Sequence, residues 1–164
     1  MQTNMGTTRF QLQSRATKAA SYSLAAADFD LSKATQLVIV LRVLSAERDS
    51  ANETYDFYVT NGPTASEQWD IAHFPQVATT GAKTYAARIN GLLRPENITT
   101  AAPGVAAVET GTLNITAAGS GNGAKTLGAG LVRHGPFADF MGLELVIAGT
   151  VVTGIEFEIE VFAS

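Results

Sequence analysis

The chain contains no cysteine, which removes disulfides, zinc–thiolate sites and thiol nucleophiles from consideration together. Such a composition fits synthesis in a reducing compartment. Charge is sparse: only 16% of the 164 residues are Asp, Glu, Lys or Arg, and the balance is −4. The eleven basic residues are scattered rather than blocked, so the electrostatic footprint of a nucleic-acid binder is missing. No apolar run approaches the ~18 residues that would span a bilayer. Residues 1–15 carry Arg9 and Arg15 without an apolar core, so no signal peptide is expected. Histidine is scarce too, with His73 and His134 alone available as imidazole bases.

What remains is an apolar chain, 46% hydrophobic and carrying 15 glycines, whose hydrophobic residues alternate with a period of two. Side chains of a strand point to opposite faces in turn, so such alternation marks strands with one buried face. The pattern is clearest near the end. Met141, Leu143, Leu145 and Ile147 alternate with Phe140, Gly142, Glu144 and Val146. After Gly149-Thr150, residues Ile155, Phe157, Ile159 and Val161 alternate with Glu156, Glu158 and Glu160. The two segments read as a β-hairpin.

Further strands are expected around Phe10 and Leu12, at Tyr22 and Leu24, over Glu53–Thr60, over Gln68–Val77 and over Lys83–Asn90. Leu37–Leu44 is a nearly continuous apolar run broken only by Arg42, as in a central strand covered on both faces. Asn61-Gly62-Pro63 reads as a turn. Ala25–Lys33, with Asp28 or Asp30 as a cap, is the one expected helical turn. From Gly91 to Gly130 the signal weakens, with Thr112–Thr116 as one short strand inside an Ala, Gly and Thr-rich excursion. Loops beyond ~12–15 residues in a compact domain are usually functional or disordered.

Eight to ten short strands separated by turns indicate an all-β protein: an antiparallel two-sheet β-sandwich, expected to be a jelly roll. An immunoglobulin-like sandwich is the alternative, without the Cys and Trp framework of antibody domains. The organisation expected is an extended N-terminal arm over residues 1–8, one sandwich domain over 9–164, and one long loop.

Residue chemistry offers few sites. Gly119–Thr126 invites comparison with a phosphate-binding loop, but Ala124 separates Gly123 from Lys125 and no helix follows. Ser66 or Ser120 would serve as nucleophile in a serine triad, yet neither sits in a nucleophile elbow. His73 reads as a packed or strand-end residue and His134, before Gly135-Pro136, as a turn residue. Glu156, Glu158 and Glu160 share one strand face, which reads first as a solvated surface. Pairing with Arg from another strand or subunit and a calcium site are the other readings. Tyr55, Tyr58, Trp69 and Tyr85 would line a sugar-binding face if clustered and exposed. No cofactor, no metal and no catalytic residue is expected.

Leu37–Leu44, Asn52–Thr60 and Trp69–Phe74, together with the closing pair of strands, resemble small structural proteins of tailed bacteriophages. The likeness covers most of residues 34–91 and 139–162. It implies a non-enzymatic virion component made in the host cytoplasm: a head decoration (cement) protein on the capsid surface. The alternatives are a neck or tail accessory protein, or a carbohydrate-binding module. It further implies contacts with the major capsid protein or other virion proteins, a homo-oligomer, and neither nucleic acid nor membrane as partner. The arm, through Thr3 and Asn4 with Arg9 beside it, and the loop, through Gly119, Asn122 and Lys125, are the expected partner-binding residues.

Overall fold

The computed structural model describes residues 6–31, 33–49, 51–92, 107–108 and 127–164. Among the described residues ten strands form two sheets: β1 (Thr8–Lys18), β2 (Tyr22–Asp28), β3 (Gln36–Ala46), β4 (Thr54–Gly62), β5 (Trp69–His73), β6 (Lys83–Asn90), β7 (Ala107–Val108), β8 (Leu131–Val132), β9 (Phe140–Ala148) and β10 (Ile155–Ala163). One sheet runs β1-β10-β3-β6; the other runs β2-β9-β4-β5-β8-β7. All pairings are antiparallel except β7 with β8. The protein is an all-β, two-sheet sandwich.

The alternation creates the core directly. Leu37, Ile39, Leu41 and Val43 of β3 and, beside them, Phe157, Ile159 and Val161 of β10 face Phe57 and Val59 of β4 and Leu143 and Leu145 of β9 within one buried cluster. Burying each such side chain stabilises the fold by about 1.5–3 kcal/mol relative to leaving it in water. Phe57 and Phe157 meet edge to face across the layer, ring centroids 4.8 Å apart.

That contact overturns the expected hairpin. Strands β9 and β10 both exist, but β9 pairs with β2 and β4 while β10 pairs with β1 and β3. The segment between them crosses from one sheet to the other, so their apolar faces meet through the core instead of lying side by side. Gly149 and Gly154, at the two ends of the crossing, both have φ of +86°, which favours glycine. A Cβ on Gly154 would fall 2.1 Å from the Lys18 carbonyl oxygen.

Four local expectations change as well. The described residues of Ala25–Lys33 form no helix: β2 runs to Asp28, whose carboxylate accepts the Asp30 N–H at 3.0 Å, and Asp30 adopts φ of +48°. Asn61 and Gly62 belong to β4 rather than to a turn. The Asn61 side chain is fully buried, donates to the carbonyls of Ala138 and Phe140, and accepts the Ala138 N–H at 2.8 Å. It thereby fastens the approach to β9. Strand β3 is central in its sheet but not covered on both faces, since Val38, Val40, Arg42 and Leu44 are half-exposed. The expected strand at Thr112–Thr116 lies outside the described residues. Thr8, placed in the arm by the sequence, already pairs with Ala163.

Candidate functional site

The outer surface of the four-stranded sheet carries the densest chemistry. Glu156, Glu158 and Glu160 project from β10 because the alternate residues fill the core. Arg9 and Arg15 on β1 and Arg42 on β3 flank them. Arg9 donates to Glu160. Arg42 Nη1 donates to Glu160 Oε2 at 2.6 Å and to Glu158 Oε1 at 3.0 Å. Arg15 Nε donates to Glu156 Oε1 at 2.7 Å. The acidic row takes the arginine-pairing reading, on a face that solvent still reaches at Arg9 and Arg15. It is a cross-strand ladder of ion pairs.

Arg9, then Arg42, hold the Glu160 carboxyl below the usual carboxylate range, and Arg15 does the same for Glu156. The glutamates raise Arg15 and Arg42 in return. Glu160 is only 3% exposed, so its charge depends on both arginines for the solvation that water no longer gives. The Arg9 guanidinium also lies 5.8 Å from the centroid of the Phe162 ring. Beside the ladder, Val38, Val40, Leu44 and Phe162 present half-exposed apolar surface. Within the ladder positive and negative charge are paired, and an apolar strip lies between it and the exposed Thr84 and Arg88 of β6.

On the outside of the other sheet, His73 ends β5 and stacks on Tyr58, ring centroids 3.9 Å apart. Its Nδ1 lies 2.7 Å from the Leu127 carbonyl oxygen and its Nε2 lies 3.1 Å from Asp56 Oδ1. Gln76 donates to the other oxygen of Asp56 at 2.8 Å. Both imidazole nitrogens are occupied, so neither faces Ser66 or another hydroxyl as a triad requires. His134 Nδ1 accepts the Asn90 N–H at 3.0 Å, and burial lowers its basicity. Among the described residues no cluster of three His, Cys, Asp or Glu side chains could hold a metal ion.

The tyrosines and tryptophan do not assemble into a platform. Tyr58 lies against His73, Tyr55 is 1% exposed, and Trp69 and Tyr85 pack against the core cluster. A groove of about 310 Å³ opens at one end of the sandwich among Gly6, Phe10, Phe29, Leu31, Lys33 and Ser164. Phe10 and Phe29 stack there at 4.3 Å.

Of the partner-binding residues expected from the sequence, Arg9 is placed in the ladder. Thr3, Asn4, Gly119, Asn122 and Lys125 lie outside the described residues. Sequence reasoning missed the apolar strip, although its signal was present: Val38, Val40 and Leu44 are apolar at the positions where β3 turns away from the core. No family model matches the chain, and neither a curated protein nor a solved structure matches it.

Proposed function

We propose that the protein is a non-enzymatic virion structural component, a decoration (cement) protein that docks on the outer head surface. Its mechanism is to stabilise the shell through contacts with the major capsid protein. The observation that carries this reading is the outer face of the four-stranded sheet. Burying an unpaired charge is costly, whereas a face whose guanidinium and carboxylate groups already satisfy one another loses less on leaving water. Val38, Val40, Leu44 and Phe162 supply the apolar contact beside it.

Strand order adds support. The order β1-β10-β3-β6 in one sheet and β2-β9-β4-β5 in the other supports the jelly-roll reading, a double-sheet architecture used by viral capsid domains. Fold alone does not assign function. The resemblance of Asn52–Thr60 and Trp69–Phe74 to phage structural proteins points the same way.

The test is co-sedimentation with capsids of the same source that lack the protein. Saturable binding at a fixed copy number per shell is expected. A V40D/F162D double variant should bind at least about tenfold more weakly, a loss of roughly 1.4 kcal/mol. Absence of binding by the folded wild-type protein would reject the head-surface role and leave a neck or tail position.

A further inference from the structure

The parity of backbone hydrogen bonding in the four-stranded sheet leaves part of one edge open among the described residues. Gln36 exchanges bonds with Ser164, its N–H donating at 2.8 Å and its carbonyl accepting at 3.0 Å. Even-numbered residues of β3 therefore turn toward β10, and odd-numbered residues turn toward β6. The Gly91 N–H donates to the Thr35 carbonyl at 2.8 Å, which sets the odd-numbered residues of β6 on the β3 side. The even-numbered residues of β6 point their N–H and C=O groups away from the sheet.

At Asn90 this edge is capped. Its N–H donates to His134 Nδ1 at 3.0 Å, and its carbonyl accepts the Gly135 N–H at 3.2 Å. Thr84, Ala86 and Arg88 have no such cap: they are exposed, and no described group meets their outward backbone atoms. The other sheet edges are blunted. Strand β1 carries two register shifts, β2 carries one, and β7 has two residues. Pairing of β6 with β3 is regular from Lys83 to Asn90. A regular open edge is a template for another strand.

We propose that this edge of β6 pairs antiparallel with the same edge of a second copy, about a two-fold axis through Ala86. The open stretch is symmetric about Ala86, so one register satisfies every outward group: Ala86 opposite Ala86 of the second copy, and Thr84 opposite Arg88. In that register no like charges are directly opposed, and small Ala86 side chains meet on the axis. Val40, the β3 partner of Ala86, extends an apolar strip across the seam on each copy. The result is one continuous sheet of two four-stranded halves. This inference concerns the free protein and stands or falls separately from capsid docking.

Sedimentation velocity tests it, combined with a charge swap. Wild-type protein is expected to shift from monomer to dimer between roughly 5 and 500 µM, a window around a mid-micromolar Kd. Ala86→Lys and Ala86→Glu each place like charges on the axis and should remain monomeric. Their equimolar mixture should dimerise. Amide exchange at 84, 86 and 88 should slow in the wild-type dimer, with 85 and 87 unchanged because they already face β3. A wild-type monomer throughout, single variants that still dimerise, or a mixture that stays monomeric would each overturn the proposal.

Discussion

Glu47 illustrates how much one side chain organises at the sandwich edge. It follows β3 and reaches the crossing between β9 and β10, where its carboxylate accepts N–H groups from Val152, Thr153 and Gly154 as well as the Thr153 hydroxyl. These bonds, the Gly154 N–H foremost, lower its pKa from 4.5 to about 2. A carboxyl whose folded value is depressed adds stability that is present above the unfolded value and lost as pH falls through the folded one. For Glu47 that window runs from about pH 4.5 down to about 2, and the lowered Glu156 and Glu160 act in the same direction. Glu47→Gln is therefore expected to lower the urea midpoint at pH 7. The gap between wild type and variant should narrow steadily as pH falls from 4.5 toward 2. Parallel urea titrations across that range check it, and a gap independent of pH would mean that the carboxylate charge does not hold the crossing. Nothing in the sequence around Glu47 announced this role, because its partners lie over a hundred positions away.

At the scale of elements, alternation was legible and partnership was not. The apolar residues of β9 and β10 named from the sequence fill the core, with Ile147 packed partly buried against it, since a period of two depends only on local geometry. Which strand lies beside which depends on the connection. The six residues from Gly149 to Gly154 permit either a hairpin loop or a crossing between sheets. The carboxylates of β10 were similarly visible as a row, while their Arg partners on β1 and β3 were hidden by sequence distance. The helical turn expected after Ala25 failed because Asp28 and Asp30 close a turn after a strand instead of capping a helix. Packing between sheets is the feature that distinguishes a crossing from a hairpin, and Phe57 reports on it. Truncation of this fully buried ring, which touches Phe157 from the opposite sheet, should cost about 3–5 kcal/mol in chemical denaturation. A loss below about 1 kcal/mol would show that the two sheets do not pack through this pair.

For the molecule as a whole, the wiring makes β10 the keystone of the fold. Strand β10 sits between β1 and β3, so the four-stranded sheet has no continuous ladder without it. Its inward residues Ile155, Phe157, Ile159 and Val161 are all fully buried. At about 1.5–3 kcal/mol each, they contribute roughly 6–12 kcal/mol of burial. That is comparable with the whole net stability of a typical domain, about 5–15 kcal/mol. A chain ending at Gly149 keeps β2, β4, β5 and β9 of the other sheet, yet exposes the core face of that sheet and leaves β1 unpaired. Such a truncated chain is expected to lose its cooperative urea transition. A separate peptide spanning residues 150–164 should restore that transition in proportion to its concentration, because binding to the folded form alone shifts the equilibrium by mass action. Circular dichroism and urea titration of the two pieces, alone and mixed, check both expectations. A cooperative transition in the truncated chain alone would mean that the six-stranded sheet carries the fold without its partner. That outcome would contradict the burial of one core between two sheets.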